Sequence, residues 1–265
     1  MKIVTDASEL VQGCAFVPTM GALHSGHQSL FTIAASRSEQ VLASIFVNPL
    51  QFESAEDLEK YPRTPEKDIE IAEAAGVTHL WLPHYEELYP EGFEKVLAGP
   101  LGNIYEGASR PGHFDGVVTV VSRLFELAQP KSAIFGEKDF QQLALIKKMK
   151  SSVDIIAAPT IRESDGLALS SRNVRLDPAA RKAAAVISRA LFAASNEQNL
   201  ESAQSVMLHV LSEETTFSCD YAEIIDEDDF TQATDSTLHA RAIIAGWING
   251  IRLIDNISMN QGVRS

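Results

Sequence analysis

The sequence holds 265 residues, 45% of them hydrophobic and 22% charged, which is an ordinary globular composition and long enough to bury a sizeable core. Its 22 Lys and Arg against 36 Asp and Glu give a net charge of -14, which argues against nucleic acid or an anionic membrane as main partner. Cys14 and Cys219 lack motif spacing, which excludes a disulfide framework and favours a reducing compartment. With no secretory leader pattern and no long apolar run, we expect a soluble cytoplasmic protein.

Apolar strand-like runs alternate with helical patterns from residue 13 to about residue 160. This alternation is typical of a parallel sheet covered by helices. The predicted strands are residues 14–17, 41–47, 79–82, 132–135 and 153–157.

Helices are predicted between these strands. Thr64 followed by Pro65 reads as an N-cap and a first helical position, with the helix ending near Gly76. Residues 115–128 and 140–149 carry apolar side chains at helical spacing.

The pattern changes after residue 166. Helices are predicted from Asp177-Pro178 and over residues 200–214, followed by short strands. The clearest strands, 240–248 and 251–257, flank Asn249-Gly250, a dipeptide suited to a type I′ hairpin turn.

The sequence therefore predicts two domains. Residues 1–160 should form a Rossmann-like α/β domain with a parallel sheet of the nucleotidyltransferase type. Residues 161–265 should form a smaller C-terminal α+β domain.

The histidine motif, residues 24–27 (His-Ser-Gly-His), follows a short apolar strand and opens an amphipathic helix. Backbone N–H groups and the positive helix end meet there, so phosphate is the expected ligand. Ser25 and Gln28 have capping-box spacing, which predicts Ser25 as the helix cap. Neutral imidazoles would donate to phosphate oxygens. The alternative is a capped helix with two surface histidines; zinc is disfavoured because too few ligands are near.

Three further stretches carry polar residues near predicted strand ends or at the predicted domain junction. Residues 46–52 include Gln51, which faces a pocket or else is an ordinary turn amide. Residues 136–139 (Gly-Glu-Lys-Asp) and the following Gln142 suit phosphate and a polar substrate, unless they form a solvated turn. Residues 170–173 (Ser-Ser-Arg-Asn) suit triphosphate oxygens, or else belong to a linker.

Together these four stretches contain histidines, a lysine, an arginine and hydroxyls, an inventory that favours nucleotide transfer. The chain lacks a Walker A pattern, a G-x-G-x-x-G fingerprint and a G-x-S-x-G elbow. A P-loop kinase, a dinucleotide dehydrogenase and a typical serine hydrolase are therefore disfavoured.

With these residues in view, the chain closely resembles the pantothenate synthetases, the pantoate–β-alanine ligases of the HIGH-motif nucleotidyltransferase superfamily. The resemblance covers most of the chain. The resemblance rests on the motifs at residues 18–27, 46–52, 61–63, 110–121, 136–142 and 165–173.

The resemblance implies site residues position by position. His27, the presumed proton donor, would act with His24, Lys138, Ser170 and Arg172 in catalysis. The residues implied to surround ATP are Met20, Gly21, Ala22, Leu23, His24, Ser25, Gly26, His27, Gly136, Glu137, Lys138, Asp139, Ile161, Leu169, Ser170, Ser171 and Arg172. Those implied to bind pantoate or β-alanine are Gln51, Gln142, Met20 and Asn48.

The resemblance further implies Mg²⁺ as a cofactor with ATP, an indirect part for Asp68 in the metal shell, a C-terminal domain that acts as a lid, and a homodimer. The implied reaction condenses pantoate with β-alanine through a pantoyl-adenylate, with AMP and pyrophosphate released. The alternatives are another small-molecule nucleotidylyltransferase of the superfamily, a non-catalytic nucleotide-binding module and an RNA-binding synthetase fragment, the last disfavoured by the acidic charge balance.

Overall fold

The computed structural model describes residues 1–259. The chain forms two compact units, which we describe separately: Met1–Glu137 with Gln141–Pro159, and Lys138–Phe140 with the chain from Thr160 onward. The roles predicted for residues 1–160 and 161–265 remain predictions, and residues 260–265 of the second range lie outside the described part.

The first unit is built on a six-stranded parallel sheet with the order β1-β4-β3-β2-β5-β6. Its strands are β1 Lys2–Val4, β2 Ala15–Thr19, β3 Val41–Ile45, β4 His79–Trp81, β5 Ser132–Gly136 and β6 Asp154–Ala158. The five predicted strands are confirmed, with their ends moved by one or two residues. β1 was not predicted.

Helices cover this sheet and connect its strands. They are α1 Ser25–Ala35, α2 Ala55–Glu59, α3 Pro65–Ala74, α4 Tyr85–Leu88, α5 Glu106–Ser109, α6 His113–Ala128 and α7 Phe140–Lys148, whose first residue belongs to the second unit. The helices predicted between the strands correspond to α3, α6 and α7, and the amphipathic helix predicted at the histidine motif corresponds to α1. Thr64 is the N-cap of α3 as predicted, but its side chain makes no cap hydrogen bond.

The sheet reverses its direction of growth between β2 and β5. From β2 the chain adds β3 and β4 on one side, and it returns later to add β5 and β6 on the other side. Ala15 pairs in parallel with Ser132, and Phe16 with Ala133. The loops after β2 and β5 therefore leave adjacent strands at the same edge, which is where open α/β sheets bind ligands.

The second unit combines two helices with an antiparallel sheet. Its elements are α8 Pro178–Ser195, α9 Leu200–Ser212, β7 Ser218–Asp226, β8 Ala240–Ile248 and β9 Ile251–Ser258, in the sheet order β7-β8-β9. The predicted hairpin is confirmed, with Asn249 and Gly250 at φ 49° and 72° as a type I′ turn requires. The predicted fold class, a Rossmann-like parallel sheet with a smaller α+β part, is confirmed.

Within residues 1–259, no helix is both long and apolar enough to cross a lipid bilayer.

Candidate active site

The turn that follows β2 is held by a buried carboxylate. Asp68, on α3 and 1% exposed, accepts hydrogen bonds from the amides of Ala22 at 2.9 Å and Leu23 at 2.7 Å. The hydroxyl of Thr64 donates to the same carboxylate at 3.0 Å. These donors offset the desolvation of the charge.

This turn also requires a glycine. Gly21 has φ +81°, and a Cβ there would lie 2.9 Å from Asp68 Oδ2 and 3.0 Å from Ile45 Cγ2. The Gly21 amide donates to the hydroxyl of Thr19 at 3.2 Å. The backbone from β2 to α1 is therefore specified by both conformation and close packing.

Helix α1 begins with a cap made by histidine. His24 is the N-cap, and its Nδ1 accepts from the Gly26 amide at 3.1 Å, while Nδ1 of His27 accepts from the His24 amide at 3.3 Å. The prediction that Ser25 caps this helix is wrong, because Ser25 is the first helical residue. The imidazoles take the two parts of the capping box one residue earlier than predicted.

The cap also determines which ring nitrogens of the histidine pair can donate. A nitrogen that accepts a backbone N–H uses its lone pair there, so the proton of the neutral ring resides on Nε2. The rings of His24 and His27 are 4.1 Å apart between centroids. Two Nε2–H donors are thus brought together at a helix N-terminus, where an anion is stabilised.

Asn48, three residues beyond the end of β3, is buried and orders the next loop. Its Nδ2 donates to Gln51 Oε1 at 3.1 Å and to the Gly116 carbonyl at 3.0 Å. Its Oδ1 accepts from the Leu50 amide and from the hydroxyl of Tyr89 at 2.7 Å. The geometry makes Asn48 a positioning residue, and its predicted contact with pantoate stays a prediction.

This network orients the Gln51 amide. Because Gln51 Oε1 accepts from Asn48, the Gln51 Nε2 points the other way and donates to Met20 Sδ at 3.0 Å. Burial raises the pKa of the Tyr89 hydroxyl, so this hydroxyl stays protonated and keeps Asn48 Oδ1 an acceptor. Gln51 and Met20, both predicted to bind pantoate, are therefore in contact.

The backbone of Gln51 is held by His113 and Arg110, two residues for which the sequence predicted no role. His113 Nδ1 lies 2.8 Å from the Gln51 carbonyl oxygen, and Arg110 Nη2 donates to the same oxygen at 3.3 Å. A Cβ on Gly116 would lie 2.2 Å from the carbonyl oxygen of Leu50. The stretch 110–121 thus fixes the Gln51 loop.

The adjacent glutamines at the start of α7 differ in their contacts. Gln141 is buried and binds the chain around residues 101–106: its Nε2 donates to the Leu101 and Ile104 carbonyls, both at 2.8 Å, and its Oε1 accepts from the Glu106 amide at 3.1 Å. Gln142 is half-buried and makes no side-chain hydrogen bond with the described residues, as suits a substrate ligand.

Of the remaining predicted ATP residues, two belong to the first unit, Gly136 and Glu137. The others belong to the second unit: Lys138, Asp139, Ile161, Leu169, Ser170, Ser171 and Arg172. Lys138 Nζ lies 3.6 Å from Asp139 Oδ1, a loose pair beside a half-exposed carboxylate. Leu169 donates its amide to the Ile161 carbonyl at 2.9 Å, which brings these two predicted residues together.

The segment that follows is a 3₁₀ turn, Ser171–Arg175, capped by Ser170. The Ser170 hydroxyl oxygen accepts from the Arg172 amide at 3.2 Å, which leaves its proton available to donate. The Arg172 guanidinium is half-buried. Its predicted contact with ATP stays a prediction.

No group of three His, Cys, Asp or Glu side chains with metal-site geometry occurs among residues 1–259. The predicted part of Asp68 in a metal shell stays a prediction. Both of its carboxylate oxygens accept backbone hydrogen bonds.

Comparisons with known proteins agree on one family. The Pantoate-beta-alanine ligase family matches residues 2–258. The pantothenate synthetase of Acidothermus cellulolyticus is 46% identical over 93% of this chain and 86% of its own length. That of Thermus thermophilus is 44% identical over 98% of this chain and 99% of its own.

Solved structures agree as well. A crystal structure of the Thermus thermophilus pantothenate synthetase covers 98% of this chain and 99% of its own, with a TM-score of 0.94 and 44% identity. A pantoate-beta-alanine ligase from Francisella tularensis, complexed with beta-gamma ATP and beta-alanine, covers 99% of each chain with a TM-score of 0.78 and 34% identity. The chain belongs to the pantoate–β-alanine ligase family.

Proposed function

We infer that this chain condenses pantoate with β-alanine to form pantothenate at the expense of ATP. The observation that carries this conclusion is the pair of Nε2–H donors of His24 and His27 at the N-terminus of α1, beside the reversal point of the sheet. Family membership supports the choice of substrates, as does the Francisella relative in complex with beta-gamma ATP and beta-alanine.

The first half-reaction makes a mixed anhydride. A carboxylate oxygen of pantoate attacks the α-phosphorus of ATP, the bond from that phosphorus to the bridging oxygen breaks, and pyrophosphate leaves. The protein supplies no covalent nucleophile in this step. Its task is to align two anions and to stabilise the charge that grows on the phosphates.

The histidine pair and the second-unit donors are proposed for that electrostatic task. His24 and His27 donate hydrogen bonds through Nε2 without adding a permanent charge, and the His27 Nε2–H is proposed to donate to the departing phosphate oxygen. Lys138, Ser170 and Arg172 donate to other phosphate oxygens. Each donor stabilises the transition state more than the ground state, because charge accumulates there during the displacement.

Pantoate is proposed to lie against neutral amides. Gln51 presents Nε2 beside Met20, and the half-buried Gln142 side chain makes no hydrogen bond with residues 1–259. Neutral donors orient the substrate carboxylate without the full charge pairing that would weaken its attack on phosphorus.

In the second half-reaction, the neutral amine of β-alanine attacks the acyl carbon of the adenylate. The carbon–oxygen bond to AMP breaks, AMP leaves with the electron pair, and the amine loses one proton as the amide forms. Water must be excluded meanwhile, because it would hydrolyse the adenylate.

Mg²⁺ is proposed to accompany ATP. In nucleotide enzymes Mg²⁺ is usually held by phosphate oxygens and water together with one or two carboxylates. When bound there, the ion would neutralise phosphate charge, and the residues named above do the positioning.

One assay tests the function: the purified chain is incubated with ATP and Mg²⁺, with and without pantoate and β-alanine, and the products are identified by mass. We expect AMP, pyrophosphate and pantothenate only when both small substrates are present. A stable nucleotidylated product would instead indicate a nucleotidylyltransferase, and ATP binding without turnover would indicate a binding module.

Variants test the assigned roles. His27→Ala and Lys138→Ala should each lower single-turnover adenylate formation by about 10²-fold or more. Lys147→Ala, an exposed lysine on α7, is the matched control and should match the unsubstituted chain. Rates within a few-fold of the control would remove His27 and Lys138 from these roles.

A cytoplasmic homodimer is also proposed. The family resemblance supports the dimer, and the free thiols of Cys14 and Cys219 are compatible with a reducing compartment. Sedimentation equilibrium should give twice the chain mass; a monomer mass across micromolar concentrations would refute the dimer.

A further inference from the structure

Two consecutive polar residues are buried on β9, in a sheet that is otherwise largely apolar. Asp255 and Asn256 are each 4% exposed. Buried polar side chains destabilise a fold unless their hydrogen bonds are made, so their partners indicate what the pair does. Their partners among residues 1–259 that are described below belong to the second unit.

Asn256 holds the backbone of Lys138. Its Nδ2 donates to the Lys138 carbonyl oxygen at 2.9 Å, and its Oδ1 accepts from Arg241 Nη1 at 2.6 Å. The Arg241 guanidinium lies 4.0 Å from the centroid of the Phe140 ring, which stacks on Phe230 on a second side. The segment Lys138–Phe140 is thus anchored at both of its ends.

Asp255 holds the hairpin that leads into the 170–173 segment. Its carboxylate binds the guanidinium of Arg162 through two hydrogen bonds, of 2.5 and 3.0 Å. Arg162 forms a β-bridge with Ala168 and donates to the Gly166 carbonyl. A bidentate pair of this kind fixes orientation as well as distance.

The two anchors are also joined to each other. The Asn256 amide donates to Asp255 Oδ1 at 2.8 Å, and Arg162 Nη2 donates to the Asn256 carbonyl at 3.3 Å. The network therefore runs without a break from the Lys138 carbonyl to the start of the 161–169 hairpin.

We propose that Asp255 and Asn256 are positioning residues, which hold Lys138 and the 170–173 segment in a fixed relation so that both reach one triphosphate. The inference rests on the proposed function, since it assigns these segments to ATP phosphates. Lysine has a long flexible side chain, so a fixed backbone is what limits where its ammonium goes. Misplacement by about 1 Å is enough to lower a rate 10²-fold.

Asn256→Asp tests this with little change of shape. The aspartate keeps an acceptor for Arg241 but places an oxygen, instead of an N–H donor, against the Lys138 carbonyl. Asp220→Asn is the matched control, because it removes an ion pair on the same sheet, the 2.8 Å contact with Arg252, which lies outside the network around Lys138. Should Asn256→Asp fail to fold by circular dichroism, Asn256→Ser replaces it.

Hydrogen exchange measures the positioning without any need for activity. Peptides that contain residues 137–140 should exchange at least about tenfold faster in Asn256→Asp than in the unsubstituted chain, and Asp255→Asn should do the same for residues 161–169. Asp220→Asn should change neither. Unchanged exchange in both β9 variants would overturn the proposal.

Kinetics then separate positioning from general destabilisation. Asn256→Asp should lower single-turnover adenylate formation about tenfold or more, with the KM for pantoate within twofold. In a Lys138→Ala background the same substitution should cause no further loss, because its effect acts through Lys138. Additive losses in the double variant would overturn the inference. If the unsubstituted chain made no pantothenate, the proposed function would be refuted, and hydrogen exchange alone would then test the positioning of Lys138.

Discussion

The carboxylate of Asp68 accepts a 2.7 Å hydrogen bond from the backbone amide of Leu23, 45 positions earlier in the chain. This contact connects α3 to the turn between β2 and α1. That turn determines where α1, the helix capped by His24, begins. Two backbone amides and a hydroxyl stabilise this buried carboxylate, which has no cationic partner in the described part of the chain.

Asp68→Asn should destabilise the fold by about 2 kcal/mol, because the asparagine NH₂ would face a backbone N–H and leave it unsatisfied. ATP affinity should fall as well, since the histidine pair follows this turn. Urea unfolding and calorimetric titration with ATP measure the two effects. Glu70→Gln on the exposed side of α3 is the control; equal stability of the two variants would contradict the role given to Asp68.

Gly21→Ala should lower the free energy of unfolding by about 3 kcal/mol or more, since it combines a left-handed backbone with a Cβ 2.9 Å from Asp68 Oδ2. Gly13→Ala is the comparison, because Gly13 has φ +69° and nothing within 4 Å of the added Cβ. Gly13→Ala should lower the free energy of unfolding by only about 1 kcal/mol, because it adds left-handed backbone strain without crowding. Denaturant unfolding of both variants gives the difference, and equal losses would show that crowding at Gly21 is unimportant.

Two substitutions can separate the role of His24 as the helix cap from its proposed role as a hydrogen-bond donor to phosphate. Asparagine is a good N-cap, so His24→Asn should keep stability within about 0.5 kcal/mol, while His24→Ala should lose about 1 kcal/mol. Both should lower adenylate formation about 10²-fold, because both remove the Nε2–H donor. Thermal unfolding and single-turnover assays test this. Full activity in His24→Asn would show that His24 caps the helix but does not act as a phosphate donor.

Local patterns in the sequence were sufficient to predict most of the fold. Apolar runs identified five strands, and the Asn249-Gly250 dipeptide identified the hairpin, because strand burial and turn conformation depend on neighbouring residues. β1 was missed because it has three residues, of which only Val4 is buried. Its pairing with β4 is a contact between residues 77 positions apart in sequence, such as Lys2 and His79.

The site was predictable only as far as it is local. The capping-box spacing fits two registers, and the histidines take the one that was not predicted, since a ring nitrogen can accept an amide hydrogen as a carboxylate does. The supporting contacts of Asp68, Tyr89 and Asn256 join distant positions, which no spacing rule reveals.

Gln142→Ala should raise the KM for pantoate about tenfold and leave the KM for ATP within twofold, because it removes one hydrogen bond to a charged substrate. Its neighbour supplies the control. Gln141→Ala should instead lower stability by about 2 kcal/mol, since three backbone groups near residues 101–106 lose their partner. Steady-state kinetics and urea unfolding of both variants distinguish the two roles, and equal changes in both KM values for Gln142→Ala would refute its assignment to pantoate.

The buried thiol of Cys14 predicts a pH dependence of stability. Burial raises its pKa to about 11, well above the ordinary thiol value of about 8.5, because the apolar surroundings disfavour the thiolate. A raised pKa in the folded state means that the contribution of this group is fully present below the unfolded pKa and is lost as pH rises toward 11. Urea unfolding of the unsubstituted chain and of Cys14→Ala at pH 8, 9.5 and 10.5 should give a stability difference that shrinks with pH.

Alkylation provides an independent measurement of the same thiol. In the native chain at pH 8, iodoacetamide should modify the exposed Cys219 well before the buried Cys14. The pKa of the Cys219 thiol is raised too, by partial desolvation and by the nearby Asp220 and Glu223 carboxylates, but reagent can reach it. In urea the two thiols should react at similar rates, because unfolding removes the burial that protects Cys14. Equal native rates would mean that Cys14 is reached by solvent at the start of β2, and its raised pKa would then lose its physical basis.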